Sequence, residues 1–423
     1  MIQSGSDPNI IFFSMNYKQE DLNLISTDGN ATRWLMLAGV WLLYAAFGMS
    51  VASLAPLVSD IEIDLGIEHS AMGVVLGAWQ FVFIVAAVPC GLLLDRFGSR
   101  HVFTVGALLM AGSLLGRSVA ENFGQLLFAV GLFGLGGPII STGAPKLISE
   151  WFEGHERGFA MGIYITGPGV GAILSLSLTN AVLMPWLNGD WRLVLRFWGW
   201  IFLVIVFIWL AIAKATKLRV QQQRSYAGLR MTIIPLLRLP AVRVVLLMSI
   251  GVLFFTHGLS NWLPELLRSS GMRLDQAGFW AAVPVVVSIF GALVIPRLAI
   301  PSRRILVLLI LFLCAAGATL LLRTGSGVPL AIGLILDGLA RSSMMTVLIL
   351  TLVEIDGVGK QRAGTAGGLF FAAAEIGGVT GPITLGILYD VSGGFQIGLF
   401  LLTGVTIFLV FMLDVLRMRA GLP

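Results

Sequence analysis

Long apolar segments alternate along the chain with short polar connections. Twelve windows of roughly twenty mostly apolar residues occur, and each is long enough for a helix to cross about 30 Å of hydrocarbon. The windows cover residues 34–58, 71–94, 102–119, 125–149, 158–182, 192–213, 244–267, 276–297, 304–323, 328–353, 363–388 and 395–416. The pattern predicts an all-α membrane protein with twelve transmembrane helices.

One long connection divides the windows into two sets of six. We therefore expect an N-terminal six-helix bundle over residues 34–213 and a C-terminal six-helix bundle over 244–416, joined by a basic cytoplasmic linker over 214–243. An N-terminal cytoplasmic tail (1–33) and a C-terminal tail (417–423) complete the predicted organisation.

The composition excludes a water-soluble domain. Hydrophobic residues make up 57% of the 423 residues and charged residues only 12%, and the mean hydropathy is +0.93. A soluble surface must carry more charge than this. Cys90 and Cys314, the two cysteines, both lie within apolar windows, where a thiol usually packs as a small hydrophobe. We therefore expect neither a disulfide nor a metal cluster.

The net charge of +5 does not indicate nucleic-acid binding, because most cations lie in the connections between windows. If both termini are cytoplasmic, nineteen of the 27 Lys and Arg residues fall on the cytoplasmic side and six on the other. Such a bias sets membrane orientation, and it predicts a multi-pass protein of the cell inner (cytoplasmic) membrane. The short run NIIFFSMN (9–16) is not expected to be a cleavable signal peptide.

The two halves of the chain carry a similar segment. SEWFEGHERGFAMGIYITGPGVG (149–171) and VEIDGVGKQRAGTAGGLFFAAAEIGGVTGP (353–382) share an order of features. Each has a Glu, a short polar turn, an Arg, a helix start rich in small residues and a later Gly-Pro pair. Two similar halves of six crossings predict pseudo-symmetric bundles, with a binding site between them near the middle of the bilayer.

The connection between the second and third windows reads GLLLDRFGSR (91–100). Together with the twelve windows and the basic linker, this stretch closely resembles the major facilitator superfamily of transporters, over nearly the whole chain from residue 33 to residue 419. The resemblance implies gating roles for the residues that match the family's loop signature. These are Gly91, Asp95, Arg96, Gly98 and Arg100.

The physical chemistry of these residues fits a latch that is made in one state and broken in another. We expect Gly91 to let a neighbouring helix approach closely. We expect Asp95 to face a helix N-terminus of the other half, where the helix dipole favours negative charge. The alternative is that the charges only mark the boundary of a helix pair. The second half has Ile295 in place of the acid, in GALVIPRLAIPSRR (291–304), so asymmetric gating contacts are expected.

Two further stretches bear on the branch of the family. GIYITGPGVGA in the fifth window is similar to a Gly-Pro element of the family's exporters, and GGVTGPITLG in the eleventh is a related element. Close packing of small residues between helices also explains both, and we favour it over an exporter element. NWLPELL (261–267) resembles the cyanate-permease-like and anion-symporter-like branches, and it identifies no solute.

Ionisable residues inside the apolar windows are the strongest candidates for function, because an ionised group at the bilayer centre costs at least ~2.5–3.5 kcal/mol. Asp337 and Arg341 lie one turn apart in the tenth window. Glu375 lies in the eleventh, His257 in the seventh and Lys146 in the fourth. The resemblance implies that these windows line a central cavity. The polar and aromatic candidates that accompany them are Asn261, Tyr44, Trp79, Gln80 and Tyr164.

Most of these candidates have a structural alternative. Asp337 and Arg341 can neutralise each other and hold helices together. Lys146 can extend its amine to the membrane surface, and His257 can be a hydrogen-bonded packing residue. Glu375 has no cation within its own turn, so we interpret it as a proton-handling or solute-binding acid. We assign proton coupling to Glu375 and Asp337, and solute binding to the remaining candidates.

These residues favour a secondary active transporter of a small organic solute, anionic and proton-coupled, that works by alternating access. The sequence has no Walker-type phosphate loop and no metal-ligand spacing, so we expect no cofactor and no enzymatic activity. The expected partners are the solute, protons and the lipid bilayer, around a monomer. Two alternatives stay open: a drug or metabolite exporter that exchanges protons, and a membrane receptor or assembly factor without transport.

Overall fold

The computed structural model describes residues 19–215 and 229–420. The description leaves out some side chains within these ranges, namely those of residues 19–30, 229–232 and 359–361 and of Val88, Asp95, Ser99, Arg100, His155, Ala363 and Ala420. The described part is almost entirely helical and contains no β-strand. The predicted all-α class is confirmed.

Twelve long helices in the described ranges form two sets of six. In the first bundle, α1 is Gln19–Ala52, α2 is His69–Phe97, α3 is Ser99–Arg117, α4 is Phe123–Trp151, α5 comprises Gly154–Ile165 and Gly167–Leu178, and α6 is Trp191–Ala215. In the second, α7 is Pro240–Ser269, α8 is Leu274–Leu298, α9 is Arg304–Leu322, α10 is Gly327–Val353, α11 is Gly359–Ser392 and α12 is Gln396–Ala420.

The lengths and composition of these helices suit a membrane. In the described ranges, eleven helical spans are long and apolar enough to cross it, and α3 adds the shorter apolar stretch His101–Arg117. The prediction of twelve transmembrane helices in two bundles is confirmed. Two short helices, Val58–Leu65 and Leu229–Arg238, lie outside or at the edge of the apolar windows.

The two bundles are built alike. In the first bundle α1 packs on α5, α2 on α4, and α3 on both α4 and α6. The corresponding pairs of the second bundle are α7 with α11, α8 with α10, and α9 with both α10 and α12, and all of them pack together as well. The same helix neighbours therefore recur after six helices, as pseudo-symmetric halves require.

The repeated segment has the same local structure in both halves. Arg157 donates from Nε to the carbonyl of Phe152, at 2.9 Å, and Arg362 donates from Nη1 to the carbonyl of Gly357, at 3.1 Å. Each arginine thus bonds a carbonyl five residues earlier, in the turn before its helix. The repeat detected in the sequence therefore has a structural counterpart.

The two membrane sides differ in how closely the bundles approach. We call the side that carries Val58–Leu65 and the 270–273 turn the loop side, and the side that carries Gly98 the hinge side. Towards the loop side, a Cβ on Gly278 of α8 would lie 2.4 Å from the carbonyl of Leu176 in α5. Towards the hinge side, a Cβ on Gly158 of α5 would meet nothing described within 4 Å.

The helices α2 and α11 are likewise close together towards the loop side and farther apart towards the hinge side. A Cβ on Gly386 would lie 2.3 Å from the carbonyl of His69, and one on Gly77 would lie 2.8 Å from that of Val379. Gly91 of α2, by contrast, faces open space among the described atoms, as do Gly364 and Gly368 of α11. Among the described residues, the bundles are therefore closed together on the loop side and apart on the hinge side.

Candidate functional site

The polar centre of the molecule lies where α2 of the first bundle meets α7 and α11 of the second. Gln80 Nε2 and His257 Nδ1 are 3.1 Å apart and join the two bundles. A Cβ on Gly378 would lie 2.7 Å from Glu375 Oε2, 3.4 Å from Gln80 Cγ and 3.7 Å from His257 Cδ2. Three sequence-predicted candidates from three helices therefore surround one glycine.

A tryptophan closes this cluster on the first-bundle side. The rings of Trp79 and His257 meet edge to face, with centroids 5.8 Å apart. Trp79 also contacts Phe47 and Phe133 in edge-to-face geometry. The apolar rings reduce contact of the polar groups with water, which strengthens electrostatic interactions at this place.

Two acceptor atoms in the cluster have unused bonding capacity. Gln80 Oε1 and Glu375 Oε2 are buried, and neither has a hydrogen-bond partner among the described residues. Glu375 is 7% exposed. A buried carboxylate without partners is costly, so this site is suited to receive either a proton or a hydrogen-bond donor of a bound solute.

The ion pair predicted on α10 is present. Arg341 Nη1 lies 3.3 Å from Asp337 Oδ2, and the Asp337 side chain is fully buried whereas that of Arg341 is 15% exposed. Asp337 Oδ1 and Arg341 Nε are buried and lack a partner within the described part of the chain. The pair makes one hydrogen bond rather than a bidentate contact, and the guanidinium therefore keeps donors for an anionic group.

Arg341 belongs to the same electrostatic environment as the cluster at Gly378. It is near enough to act electrostatically on His257, whose side chain is partly buried. The structure therefore brings together an acid, a histidine and an amide at the junction of the bundles, with an arginine on α10, which packs against α7 and α11. This combination can bind an anionic group and exchange a proton close to it.

Two of the predicted aromatic residues pack against each other in the first bundle. The rings of Tyr44 in α1 and Tyr164 in α5 stack with centroids 5.5 Å apart. Asn261 bonds within its own helix, through Nδ2 to the carbonyl of His257 at 2.9 Å. Lys146 lies half-buried near the hinge-side end of α4. Asn261 and Lys146 are not among the side chains that surround Gly378.

The GLLLDRFGSR stretch lies at the hinge side. Gly98 alone separates α2 from α3 and has φ of 77°, a conformation that only glycine adopts at little cost. Arg96 is exposed, with its guanidinium 5.2 Å from the ring centroid of Phe97. The close helix approach expected at Gly91 does not occur in this conformation, because the bundles are apart there. The side chains of Asp95 and Arg100 lie outside the described part.

The second bundle also has an acid on the hinge side, Glu354, but at a position different from that of Ile295. Arg304, at the start of α9 and 3% exposed, donates from Nη1 and Nη2 to Glu354, at 2.7 and 3.0 Å. These hydrogen bonds lower the pKa of Glu354 below its ordinary value. The second bundle therefore has an ion pair on the hinge side, although Ile295 takes the place of the acid in its sequence.

The sequence reasoning missed a group of polar residues on the loop side. Ser59 of the first bundle donates to Glu265 of α7, which is 3% exposed. Arg268 donates to Glu265 through Nε, at 2.9 and 3.1 Å. The connection before α2 is rich in acidic residues, and this was the signal that the sequence offered. The contacts of this region with α7 and α11 become evident only when the two bundles are packed together.

One apolar groove in the described structure does not suit the predicted solute. It has a volume of about 480 Å³ and lies between α2, α4 and α11. Its lining is apolar, and Phe81 and Phe128 at its edges are 63% and 76% exposed. Side chains of this kind face lipid in a membrane protein, so the groove belongs to the outer surface.

Comparison with known proteins agrees with this architecture. The probable galactarate/D-glucarate transporter of Escherichia coli is 23% identical, over 85% of this chain and 89% of its own. A quinolone resistance transporter of Acinetobacter baumannii is 27% identical, over 82% and 84% of the two chains. The solved structure of a bacterial homologue of the human lysosomal transporter Spinster, inward-facing and unoccupied, superimposes with a TM-score of 0.73 at 16% identity, covering 92% and 97% of the two chains.

The family assignment rests on the match to a family model. Residues 40–382 match the model of the Major Facilitator Superfamily. Those residues include α2 to α10, the hinge at Gly98 and the polar cluster at Gly378. The proteins that it resembles are transporters of small molecules and not enzymes. This chain belongs to the Major Facilitator Superfamily.

Proposed function

We propose that this protein is a secondary active transporter of a small organic anion and that it couples transport to protons. The observation that carries the proposal is the position of Glu375. This buried acid lies beside the Gln80–His257 contact between the bundles, and its Oε2 has no hydrogen-bond partner in the described part of the chain. An acid in such a place is neutral when protonated and repels an anion when ionised. Its protonation is therefore linked to solute binding.

The charge of Arg341 supports an anionic solute. The guanidinium is partly exposed and makes a single contact with Asp337. Asp337 supplies the counter-charge that an arginine in the membrane interior needs, and the guanidinium donors that this single contact leaves over can bind a carboxylate of the solute. The relative named as a galactarate/D-glucarate transporter carries, by its name, hydroxylated dicarboxylates of this charge type.

Alternating access explains why the described bundles are close together on the loop side and apart on the hinge side. We assign residues 34–213 and 244–416 to two bundles that rock about the site, with 214–243 as the linker. Because most cations fall on the hinge side, we assign that side to the cytoplasm and the protein to the inner membrane as a monomer. The conformation described above is then open to the cytoplasm.

A proton-driven exporter is the second candidate, and the relative named as a quinolone resistance transporter favours it. The Gly-Pro element of α5 lends it less support. A Cβ on Gly48 would lie 2.0 Å from the carbonyl of Pro168, and one on Gly171 would lie 1.8 Å from that of Ala45. The small residues therefore have a packing role between α1 and α5, which accounts for the element without export.

Transport by the purified full chain in proteoliposomes tests the proposal. The probes are radiolabelled D-glucarate, uncharged D-glucose and a fluoroquinolone, each with and without an imposed pH gradient. We expect D-glucarate to accumulate against its gradient only when protons can flow with it, and D-glucose to be excluded. Accumulation of the fluoroquinolone opposite to the proton flow, with no D-glucarate movement, supports the exporter instead. Movement of none of the probes under any gradient argues against both.

A further inference from the structure

A histidine of the first bundle is inserted between two aromatic rings of the second. The His69 ring, at the start of α2, is stacked on Tyr389 of α11 with centroids 3.7 Å apart and planes 6° apart. It is also parallel to the ring of Trp262 of α7, at 5.2 Å and 8°. His69 therefore joins α2 to two helices of the other bundle on the loop side.

The acid next to Tyr389 caps the same helix. Asp390 accepts the backbone N–H of His69 at 3.2 Å and that of Ser70 at 2.7 Å. The first N–H groups of a helix have no partner within the helix, and they carry the positive end of its dipole. Here the capping carboxylate comes from the opposite bundle, so the α2 N-terminus is satisfied only while the bundles stay together on this side.

Neighbouring contacts fix the geometry of this pair. Glu62 Oε2 lies 3.3 Å from His69 Nδ1, within the first bundle, and Asp390 Oδ1 lies 3.9 Å from the same nitrogen. Gly386 leaves room for the backbone of His69, because a Cβ there would lie 2.3 Å from its carbonyl oxygen. The close approach of α11 to the start of α2 thus depends on a glycine, a stacked ring and a capping acid.

We propose that His69 and Asp390 form a latch that holds the loop side closed and that opening of this side breaks it. The inference rests on alternating access in the proposed function. When the bundles separate on the loop side, the α2 N-terminus loses its cap and the His69 ring leaves Tyr389 and Trp262. The latch therefore biases the two-state equilibrium toward the conformation that is open on the hinge side.

The latch lies at the opposite end of α2 from the GLLLDRFGSR motif. Asp95 is near the last residue of α2 and His69 is its first. One helix therefore carries a gating element at each end. Weakening the loop-side element is expected to raise the population that is open on the loop side, without any change in the residues around Gly378.

Distances between spin labels on the full chain in lipid nanodiscs, without solute, test the latch. Cys90 and Cys314 are replaced by Ala, and labels are attached at Glu121→Cys and Thr324→Cys, exposed positions in the loops after α3 and α9. The reference chain should show mainly the shorter distance of the closed loop side. Asp390→Asn and His69→Ala should each raise the ratio of long to short distances. Asp390→Asn keeps one acceptor oxygen but loses the charge that faces the α2 dipole, so its rise should be about two- to fivefold.

Two further variants make the result specific. Asp275→Asn is the matched control, because Asp275 is a loop-side acid that pairs with Arg273 of its own bundle, and it should leave the distances unchanged. His69→Phe keeps a stacked ring without the imidazole, so its shift should be smaller than that of His69→Ala. Size-exclusion chromatography identifies folded protein, and Asp390→Asn decides the matter if His69→Ala does not fold.

The outcomes separate this inference from the proposed function. Distance distributions of Asp390→Asn and His69→Ala that equal those of Asp275→Asn reject the latch, whatever is transported. A shifted distribution together with failure of all probes in proteoliposomes supports the latch and rejects the proposed solute and coupling.

Discussion

Gln80 Nε2 of α2 and His257 Nδ1 of α7 lie 3.1 Å apart, so one hydrogen bond connects the two bundles at the polar centre of the molecule. The contact lies beside Glu375, whose Oε2 approaches the same glycine. Because the partners belong to different bundles, any relative movement of the bundles changes their separation. The bond thus couples the conformation of the site to the arrangement of the bundles.

Removal of this bond is expected to have a non-additive effect. Gln80→Leu and His257→Leu should each lower the Tm of the purified protein, because each leaves the other polar group, buried Gln80 or partly buried His257, without this hydrogen bond. The double variant should lose less than the sum of the two single losses, by an amount that corresponds to about 0.5–1.5 kcal/mol. Thermal unfolding of the four proteins in one detergent measures this.

A distant pair provides the control for that cycle. Gln80→Leu combined with Thr403→Val, which removes a contact to Thr319 in the outer part of the second bundle, should be additive. Strict additivity of Gln80→Leu with His257→Leu would contradict a bond between the two side chains.

The sequence was sufficient for the helices and for contacts within one helix. Apolar windows of membrane length predict the crossings, and the spacing of Asp337 and Arg341 predicts their pairing one turn apart. Contacts between bundles depend on helix packing and therefore lie beyond such reasoning. Gln80 and His257 are 177 residues apart in sequence, and nothing in the local pattern of either residue indicates the other.

The contacts of the loop-side residues could not be predicted for the same reason, because they too join the two bundles. His69 and Asp390 are 321 residues apart, and each alone has the pattern of an ordinary surface residue next to a helix end. Gly386 has its role because α11 approaches α2, which a single helix does not reveal. Small residues in a membrane helix do predict that some neighbour comes close, but they do not identify that neighbour.

The ion pair between Arg304 and Glu354 gives a pH-dependent prediction. Hydrogen bonds from Arg304 lower the pKa of Glu354 in the folded protein, so the pair stabilises the fold above the unfolded-state pKa of glutamate, about 4.3. That stabilisation is lost as the pH falls through the lower folded-state pKa. The Tm difference between the native chain and Glu354→Gln should therefore be largest near neutral pH and shrink below about pH 4.

The size of this difference should be modest. Breaking a fully buried pair costs about 3–5 kcal/mol, but the Glu354 side chain is 47% exposed and solvent screens it, so about 1–2 kcal/mol is expected. Glu156→Gln is the control, because the Arg33–Glu156 pair has side chains that are 25% and 49% exposed, and its effect should be smaller. A difference for Glu354→Gln that does not vary with pH would contradict the assignment.

Arg341 is expected to act on folding and on solute binding in separable ways. Arg341→Ala leaves Asp337 fully buried without its counter-ion, and this should cost several kcal/mol and lower the yield of folded protein. The double variant Asp337→Asn with Arg341→Gln keeps a neutral pair of similar shape. Its folding should recover, whereas uptake of D-glucarate should not, because the cation is still missing.

Size-exclusion chromatography and proteoliposome uptake measure the two effects. Asp337→Asn alone removes the acid and keeps the cation. It therefore distinguishes the contribution of Asp337 from that of Arg341. Full uptake by the neutral pair would show that Arg341 and Asp337 are structural and would remove Arg341 from solute binding.

Glu375 is the residue that most directly tests proton coupling. Glu375→Gln resembles the permanently protonated acid, since the amide is neutral and has nearly the same shape. D-glucarate should still bind, and exchange of labelled for unlabelled D-glucarate across the membrane should persist. Accumulation driven by a pH gradient should disappear, because the variant can no longer release and bind a proton in each cycle. Both assays use the same proteoliposomes, so differences in reconstitution cancel.

Glu121→Gln serves as the matched control, since Glu121 is an exposed acid in the loop after α3 and its loss should change neither assay. Loss of exchange as well as accumulation in Glu375→Gln would place Glu375 in solute binding rather than in coupling. If accumulation driven by the gradient survives in Glu375→Gln, this acid does not carry the proton. Asp337 then becomes the acid to test, because it too is buried with an oxygen that has no partner within the described residues, and Asp337→Asn should abolish accumulation in its place.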